Sequence, residues 1–185
     1  MAAFRRLRDT QVHSGAIWDV VVAAFEAPDG SEFRRDIVRS PGSVGVVPLV
    51  FDAEGQPSVV LVSQYRAPFE RDLIEIPAGM RDIPGEPAEE CGRRELIEEV
   101  GLAAGEMALL TEMIPSPGMT DSVCSVFLAT NCTPTERQLH GPEEQHSEVL
   151  HVPLADALAM VERGEIADAK TVAGLLLTER RLRGS

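Results

Sequence analysis

The sequence predicts a mixed α/β fold in which a β-hairpin precedes a larger α/β domain. Runs rich in Val, Leu and Ile are separated by turns built from Pro, Gly and Asp, a pattern typical of β-strands. Three longer amphipathic runs predict helices, and they alternate with the strands as expected for a mixed fold. A chain of 185 residues is long enough for one domain with a substantial core.

The predicted hairpin occupies the N-terminal part of the chain. Residues 15–27 predict its first strand, Pro28-Asp29-Gly30 its turn and residues 33–38 its second strand. Pro41-Gly42 then breaks the chain. We therefore expect a boundary after residue 42.

The remainder of the chain predicts six strands, three helices and one long polar loop. The strands are expected at residues 43–52, 58–65, 73–76, 107–114, 122–130 and 150–153. The helices are expected at residues 87–100, 155–163 and 170–183, and the loop at residues 131–147.

Composition excludes several functional classes. The net charge of −13 and the absence of a basic stripe argue against nucleic-acid binding. No apolar run is long enough to cross a bilayer, and residues 1–8 lack the apolar core of a secretion signal, so we expect a cytoplasmic protein. The three cysteines (Cys91, Cys124 and Cys132) form no CxxC pair, which argues against a zinc cluster or a disulfide framework.

The predicted helix at residues 87–100 has clear start and stop sequences. Pro87 lies in the first turn, where proline is tolerated. Gly101 follows the last turn, where a left-handed residue ends many helices. Leu96, Ile97 and Val100 are expected to face a core.

Three acids of this helix share another face. Glu95, Glu98 and Glu99 are three or four residues apart, a spacing that places side chains on one side of a helix. One interpretation is a solvated face balanced by Arg93 and Arg94. The other is a site for divalent cations, which prefer carboxylate oxygens. The residues alone leave both interpretations open.

The segment 79–102 closely resembles the Nudix box. That signature is a glycine, five residues, a glutamate, seven residues, and then Arg-Glu-aliphatic-x-Glu-Glu-x-Gly-aliphatic. Every fixed position from Glu86 to Leu102 matches. One departure is that six residues separate Gly79 from Glu86. The extra residue falls in the loop, so the helix keeps its register.

Segments outside the box resemble the ADP-ribose pyrophosphatases of this superfamily. They are residues 75–79 (Glu-Ile-Pro-Ala-Gly), 116–118 (Ser-Pro-Gly), 35–38, 64–66 and the tail from 152 to 166. The resemblance implies an α/β/α sandwich around a mixed sheet. It also implies a Nudix catalytic domain at residues 43–185 and, at residues 1–42, a β-arm that contributes to a homodimer.

The resemblance implies magnesium or manganese as cofactor and assigns roles near it. Glu95 and Glu99 would ligate the metal, and the backbone carbonyl of Ala78 would supply another oxygen. Glu98 would act as a further ligand or as an acid just outside the ligands. Arg94 would orient Glu95 and Glu98 through charged hydrogen bonds.

The resemblance places the general base in a mobile acidic loop beyond the box, which here is residues 141–148. Glu143 and Glu144 are both candidates, and the sequence does not separate them. A solvated acidic loop is the alternative for each residue. His146 has suitable chemistry for a base, but the family pattern does not support it.

The predicted substrate contacts are spread along the chain. Arg35 and Arg66 are expected to contact diphosphate or ribose, and Gly118 and Met119 follow from the Ser-Pro-Gly element. Trp18, the only tryptophan, would stack on a nucleobase; the alternative is a buried core or interface tryptophan.

Together these features predict an enzyme that hydrolyses ADP-ribose or a related nucleoside diphosphate sugar. Asp121-Ser122 stands where many ADP-ribose hydrolases carry a glutamate, so the sugar preference stays open. Broader clean-up of nucleoside diphosphate sugars or nucleoside triphosphates is one alternative. A binding domain that senses ADP-ribose without cleaving it is another, but such domains commonly lose the box glutamates that this chain retains.

Overall fold

The computed structural model describes residues 3–184, which form two compact units. The smaller unit comprises the chain up to Gly42 together with Ile114–Val123. The larger unit comprises Ser43–Met113 together with the chain from Cys124 onward. None of the helices described is long and apolar enough to cross a membrane.

The smaller unit is built on a three-stranded antiparallel sheet. Its strands are β1 (Arg5–Ser14), β2 (Asp19–Glu26) and β3 (Glu32–Arg39), with β2 in the centre. The predicted hairpin is confirmed as β2 and β3. The prediction of one strand over residues 15–27 is wrong at its start, because Gly15 to Trp18 form a turn in which the Gly15 N–H donates to the Trp18 carbonyl at 2.8 Å. Strand β1 was missed because it is polar and almost wholly exposed, which leaves no buried face to detect.

The segment Ile114–Val123 joins this unit through β3. The Val38 N–H donates to the Met119 carbonyl at 2.9 Å, and Val38 forms a parallel bridge with Thr120. Arg39 Nη1 then pairs with Asp121 Oδ2 at 2.9 Å. These contacts explain why the segment groups with the N-terminal strands although the sequence placed it within residues 43–185.

The larger unit contains a mixed sheet with helices on both sides. The strands of the larger unit are β4 (Ser43–Phe51), β5 (Pro57–Arg66), β6 (Arg71–Glu75), β7 (Ala78–Met80), β8 (Leu102–Ala103), β9 (Glu106–Met113), β10 (Cys124–Thr130), β11 (Thr133–Pro134) and β12 (Glu148–Pro153). Strands β8 and β11 pair with each other in a separate two-stranded sheet. Its helices are α1 (Ala88–Val100), α2 (Gly141–Gln145), α3 (Leu154–Glu162) and α4 (Ala169–Arg183). The main sheet runs β12-β5-β4-β10-β9, and β6 and β7 pair with β5 and β4. The β4–β10 pairing is parallel and the others are antiparallel, which makes the sheet mixed.

Successive side chains of a strand point to opposite faces of the sheet, and both faces of this sheet are buried. In β4, Val44 and Val46 pack in the clusters on the α1 side, while Val47 and Leu49 pack in the cluster that includes residues of α3 and α4. Glycine lets α4 approach closely, because a Cβ on Gly174 would lie 2.8 Å from Val47. The α/β/α sandwich is therefore confirmed.

Two parts of the sequence prediction need correction. The segment 131–147 is not wholly loop, since it contains β11 and the short helix α2. Strand β7 was also missed, because it is only three residues long and follows a proline that signalled a break. All three elements are too short to show a period in the sequence.

Candidate active site

Helix α1 carries its acids on a face that is largely removed from solvent. The helix begins after Pro87 and ends at Gly101, whose φ of 66° lets its N–H donate to the Ile97 carbonyl at 3.0 Å. Glu95 and Glu99 are 7% and 5% exposed. The interpretation of a solvated acidic face is therefore wrong for these two residues.

Arg94 braces the carboxylates of this region. Its Nη1 donates to Glu95 Oε1 at 2.7 Å and to Glu98 Oε2 at 3.0 Å. Its Nε and Nη2 donate to the two oxygens of Glu86 at 3.2 and 3.3 Å. The lengthened loop therefore still brings Glu86 against the helix. Charge-assisted bonds of this kind fix the rotamers of the acids they join.

The backbone of β7 contacts the carboxylates of Glu95 and Glu99. The Ala78 N–H donates to Glu99 Oε2 at 2.8 Å. A Cβ on Gly79 would lie only 2.1 Å from the carboxylate of Glu95, so any larger residue would displace that acid. Glycine is thus required here by close approach rather than by its φ angle.

Burial raises the pKa of both glutamates. The pKa of Glu95 rises to about 7, mainly through burial, although the Arg94 charge opposes the shift. The pKa of Glu99 rises to about 8, again through burial first, with the Ala78 N–H opposing and the Glu95 and Glu144 charges adding. Two carboxylates held together out of water are a pair that a cation would stabilise.

The donor set fits a magnesium-type ion. Magnesium is commonly bound by one or two carboxylates, with waters and substrate phosphates completing its shell. Across residues 3–184, no three or more His, Cys, Asp or Glu side chains are grouped so that they could hold a metal ion by themselves. The buried pair Glu95 and Glu99 beside β7 fits a magnesium ion held by two carboxylates, because the other ligands would come from water and substrate.

Helix α2 carries both candidate bases, Glu143 and Glu144. The charge of Glu144 adds to the rise in pKa of both Glu95 and Glu99, after the larger effect of burial. Glu144 Oε2 also accepts a bond from the His140 N–H at 2.6 Å. His146 Nδ1 lies 2.9 Å from the Pro142 carbonyl, so one ring nitrogen is already engaged.

His140 is a residue of the site that sequence reasoning missed. Its Nε2 lies 3.6 Å from Glu98 Oε1, within reach of an ion pair when the ring is protonated. It is a single histidine in a polar loop, and no spacing in the sequence links it to α1. Only the folded chain brings the two residues together.

Arg66, one predicted substrate contact, is anchored by Glu75. Its Nε and Nη2 donate to the Glu75 oxygens at 2.6 and 2.8 Å. Burial alone would raise the pKa of the Glu75 carboxyl, but Arg66 and Lys170 hold it below the usual range. The remaining Arg66 nitrogen, Nη1, makes no hydrogen bond among residues 3–184.

Three other predicted contacts meet in the smaller unit. Arg35, Gly118 and Met119 line a cavity of about 460 Å³, which three phenylalanines (Phe4, Phe25 and Phe33) also line. The Arg35 guanidinium lies 4.8 Å from the centre of the Phe33 ring. Trp18 is 52% exposed in the β1–β2 turn and does not line this cavity, so it is not a core residue of the described chain.

The family model of the NUDIX domain matches residues 40–175, which is most of the chain. The chain belongs to the Nudix family. It is a Nudix hydrolase, and the recognition made from the box is confirmed. Enzymes of this family generally work with a divalent metal ion, which agrees with the donor set around α1.

Individual relatives match about three quarters of this chain or more. The ADP-ribose pyrophosphatase of Bacillus subtilis (strain 168) is 40% identical over 87% of this chain and 84% of its own length. The GDP-mannose pyrophosphatase of Citrobacter koseri is 36% identical over 74% and 76%. A crystal structure described as an ADP compounds hydrolase superposes with a TM-score of 0.82 at 24% identity, covering 98% of this chain and 95% of that one. That last likeness supports the fold.

Proposed function

We propose that this protein hydrolyses the diphosphate linkage of nucleoside diphosphate sugars, with ADP-ribose as the foremost substrate. The products are AMP and a sugar phosphate. The observation that carries the proposal is the buried pair Glu95 and Glu99, braced by Arg94 on one side and by the β7 backbone on the other. The Bacillus subtilis relative and the Ser-Pro-Gly segment favour ADP-ribose.

The residues of α1 and β7 would hold the cofactor. Glu95, Glu99 and the carbonyl of Ala78 are the proposed ligands, and Glu98 lies beside them. A bound magnesium or manganese ion supplies charge neutralisation of the diphosphate and a lowered pKa for bound water. Arg94 fixes the Glu95 carboxylate, and the Ala78 N–H fixes that of Glu99. Neither acid then needs to reorganise during the reaction.

Glu144 is the proposed general base. It would accept a proton from the attacking water as the water oxygen bonds to phosphorus and the bridging P–O bond breaks. Its support is that its charge adds to the rise in pKa of both Glu95 and Glu99.

Arg35, Gly118 and Met119 stay proposed substrate-binding residues, and all three line the cavity of the smaller unit. The phenylalanine rings offer flat apolar faces on which a nucleobase could stack, and the Arg35 guanidinium offers positive charge to a phosphate or ribose oxygen. Arg66, whose Nε and Nη2 are held by Glu75, stays a proposed contact to diphosphate or ribose through Nη1. Exposed Trp18 stays a proposed stacking residue.

A homodimer in the cytoplasm completes the proposal. The smaller unit exposes large apolar side chains, among them Phe4, Val12 and Trp18, each more than half accessible. Exposed apolar groups of this kind are commonly covered by a partner. Light scattering should give a mass near twice the 20.0 kDa of one chain, and a monomer would remove this part of the proposal.

A substrate panel tests the reaction. The purified chain is incubated with magnesium or manganese and with ADP-ribose, ADP-glucose, GDP-mannose, NADH or dNTPs, and release of nucleoside monophosphate is measured. We expect the highest kcat/KM with ADP-ribose, and Glu99→Gln serves as the inactive control. Turnover of GDP-mannose or dNTPs above ADP-ribose would favour a broader pyrophosphatase.

The same panel separates an enzyme from a sensor. A sensor would bind ADP-ribose in calorimetry yet release no monophosphate with either metal. The retained and braced box acids favour the enzyme, because binding alone does not need them. Absence of turnover for every substrate would overturn the hydrolase proposal.

A further inference from the structure

The segment between β6 and β7 is held at successive residues from Glu75 to Ala78. The Ile76 N–H donates to Thr171 Oγ1 at 2.9 Å, and the Pro77 carbonyl accepts from the Val46 N–H at 2.9 Å. The Ala78 N–H then donates to Glu99 Oε2 at 2.8 Å. This short segment therefore connects a residue of α4 directly to an acid of the active site.

The α4 end of this connection is itself tightly fixed. Thr171 is fully buried, and its hydroxyl donates to Asp168 Oδ2 at 2.6 Å, so the free lone pairs of Oγ1 face the Ile76 N–H. Asp168 also caps α4 by accepting from the Thr171 N–H at 3.0 Å. A hydroxyl with its proton committed in this way is a directed acceptor.

A cluster of charged residues also joins the start of α4 to the end of β6. Lys170 Nζ donates to Asp168 at 3.0 Å and also to Glu75, whose other partner is Arg66. Glu75 is 2% exposed, so its charge needs both cations. Helix α4 is thus joined to the side chain of Glu75 and to the backbone of Ile76, immediately before the residues that border the metal site.

We propose that Thr171, oriented by Asp168, is a positioning residue for the metal site. It would act through Ile76 to set the place of the Ala78 backbone, and through Ala78 the place of the Glu99 carboxylate. This inference rests on the proposed metal-dependent hydrolysis. It assigns to the C-terminal helix a part in metal affinity, although no residue of α4 lies in the Nudix box.

The helix offers a matched control. Thr178 is also fully buried in α4, but its hydroxyl makes no hydrogen bond to any residue that the structure describes. Replacing either threonine by valine removes one buried hydroxyl from the same helix. Only Thr171→Val leaves the Ile76 N–H without an acceptor.

The experiment measures magnesium binding and turnover in the full-length chain. Binding is followed by calorimetry and by the magnesium-induced rise in Tm, and kcat and KM are followed with ADP-ribose. For Thr171→Val we expect magnesium affinity to fall by about tenfold and kcat to fall with it, as is typical when a group that orients a metal ligand is lost. KM measured at saturating magnesium should change little. Thr171→Ser keeps the hydroxyl and should restore affinity to within about twofold.

The control and a milder variant keep the test decisive. Thr178→Val should bind magnesium like the wild type. Asp168→Asn keeps the cap but weakens the bond that orients Thr171, so we expect about threefold weaker magnesium binding, and this variant carries the test should Thr171→Val not fold.

The outcomes separate this inference from the proposed function. Wild-type magnesium affinity in folded Thr171→Val, whatever its Tm, would overturn the positioning role. If Thr171→Val does not fold, unchanged magnesium affinity in Asp168→Asn would overturn the positioning role. A wild-type chain that binds neither magnesium nor manganese would instead overturn the proposed function itself.

Discussion

The α1–β7 region and the cavity of the smaller unit differ in how firmly their groups are held. Around α1 the carboxylates of Glu95 and Glu99 are buried, Arg94 donates to Glu95, and the Ala78 N–H donates to Glu99. In the smaller unit the charged group Arg35 lies over a phenylalanine ring in an open cavity, on a sheet whose first strand is almost wholly exposed.

We propose that this difference reflects two roles, catalysis for the acids of α1 and substrate binding for Arg35. Groups that act on the reacting phosphate must hold their positions to a fraction of an ångström, which requires burial and bracing. Groups that recognise the rest of a substrate tolerate looser placement, since their contribution is uniform binding. We therefore expect changes around α1 to lower kcat and changes in the cavity to raise KM.

The largest expected effect comes from Glu99→Gln. The substitution removes a proposed ligand charge, and several kcal/mol of transition-state stabilisation correspond to a loss in kcat on the order of 10³-fold. The fold should survive, because a neutral amide replaces an acid whose pKa burial already raises to about 8. Steady-state kinetics and circular dichroism check both statements. Wild-type kcat in this variant would remove Glu99 from the metal site.

A smaller loss is expected for the proposed base. Glu144→Gln should lower kcat by about 10²-fold, the usual contribution of a general base, with little change in KM. Glu143→Gln is the matched control on the same helix and should stay within about threefold of the wild type. Comparison of kcat between the two variants is the measurement. An equal effect of the two substitutions would show that helix α2 acts as a solvated acidic segment instead.

Arg35→Ala tests the other side of the comparison. Loss of a single charged contact to the substrate should raise KM for ADP-ribose by about tenfold and leave kcat nearly unchanged. The nearby Arg34→Ala serves as a control, since Arg34 does not line the cavity. A fall in kcat without a change in KM would contradict the division between the two regions.

The smallest effect concerns stability and pH. The pKa values of Glu95 and Glu99 in the folded chain, about 7 and about 8, exceed the value near 4.3 of an unfolded glutamate. Between about pH 4.3 and 8 the folded state therefore binds more protons than the unfolded state. The free energy of unfolding of the metal-free protein consequently falls as the pH rises through that window. We expect Tm in EDTA to drop by several degrees between pH 5.5 and 8.5, at about 2–4 °C per kcal/mol.

Calorimetry with and without magnesium measures this effect. Magnesium binds the deprotonated acids, so it should raise Tm more at pH 8.5 than at pH 5.5. Glu75 and Glu86, whose pKa values are lowered, lose their contribution only as the pH falls below about 4.5, outside this window. A metal-free Tm that rises across the window would contradict the burial of the acid pair.

What sequence alone determined is the chemistry and its local frame. The helix register that brings Glu95, Glu98 and Glu99 together follows from three- and four-residue spacing, and the stop at Gly101 follows from its left-handed backbone. The mixed α/β class followed from the alternation of apolar strands and amphipathic helices, because local periodicity reports which faces are buried. The sandwich arrangement followed from the resemblance to the Nudix family.

Tertiary structure decided everything that depends on residues far apart in the chain. It buried Glu95 and Glu99, engaged Arg66 with Glu75 and brought Thr171 against Ile76 across 95 residues of sequence. It also revealed β1, whose exposed polar residues carry no period. The physical reason is that burial, pKa and hydrogen-bond partners are set by packing between elements, which neighbouring residues in a sequence do not encode.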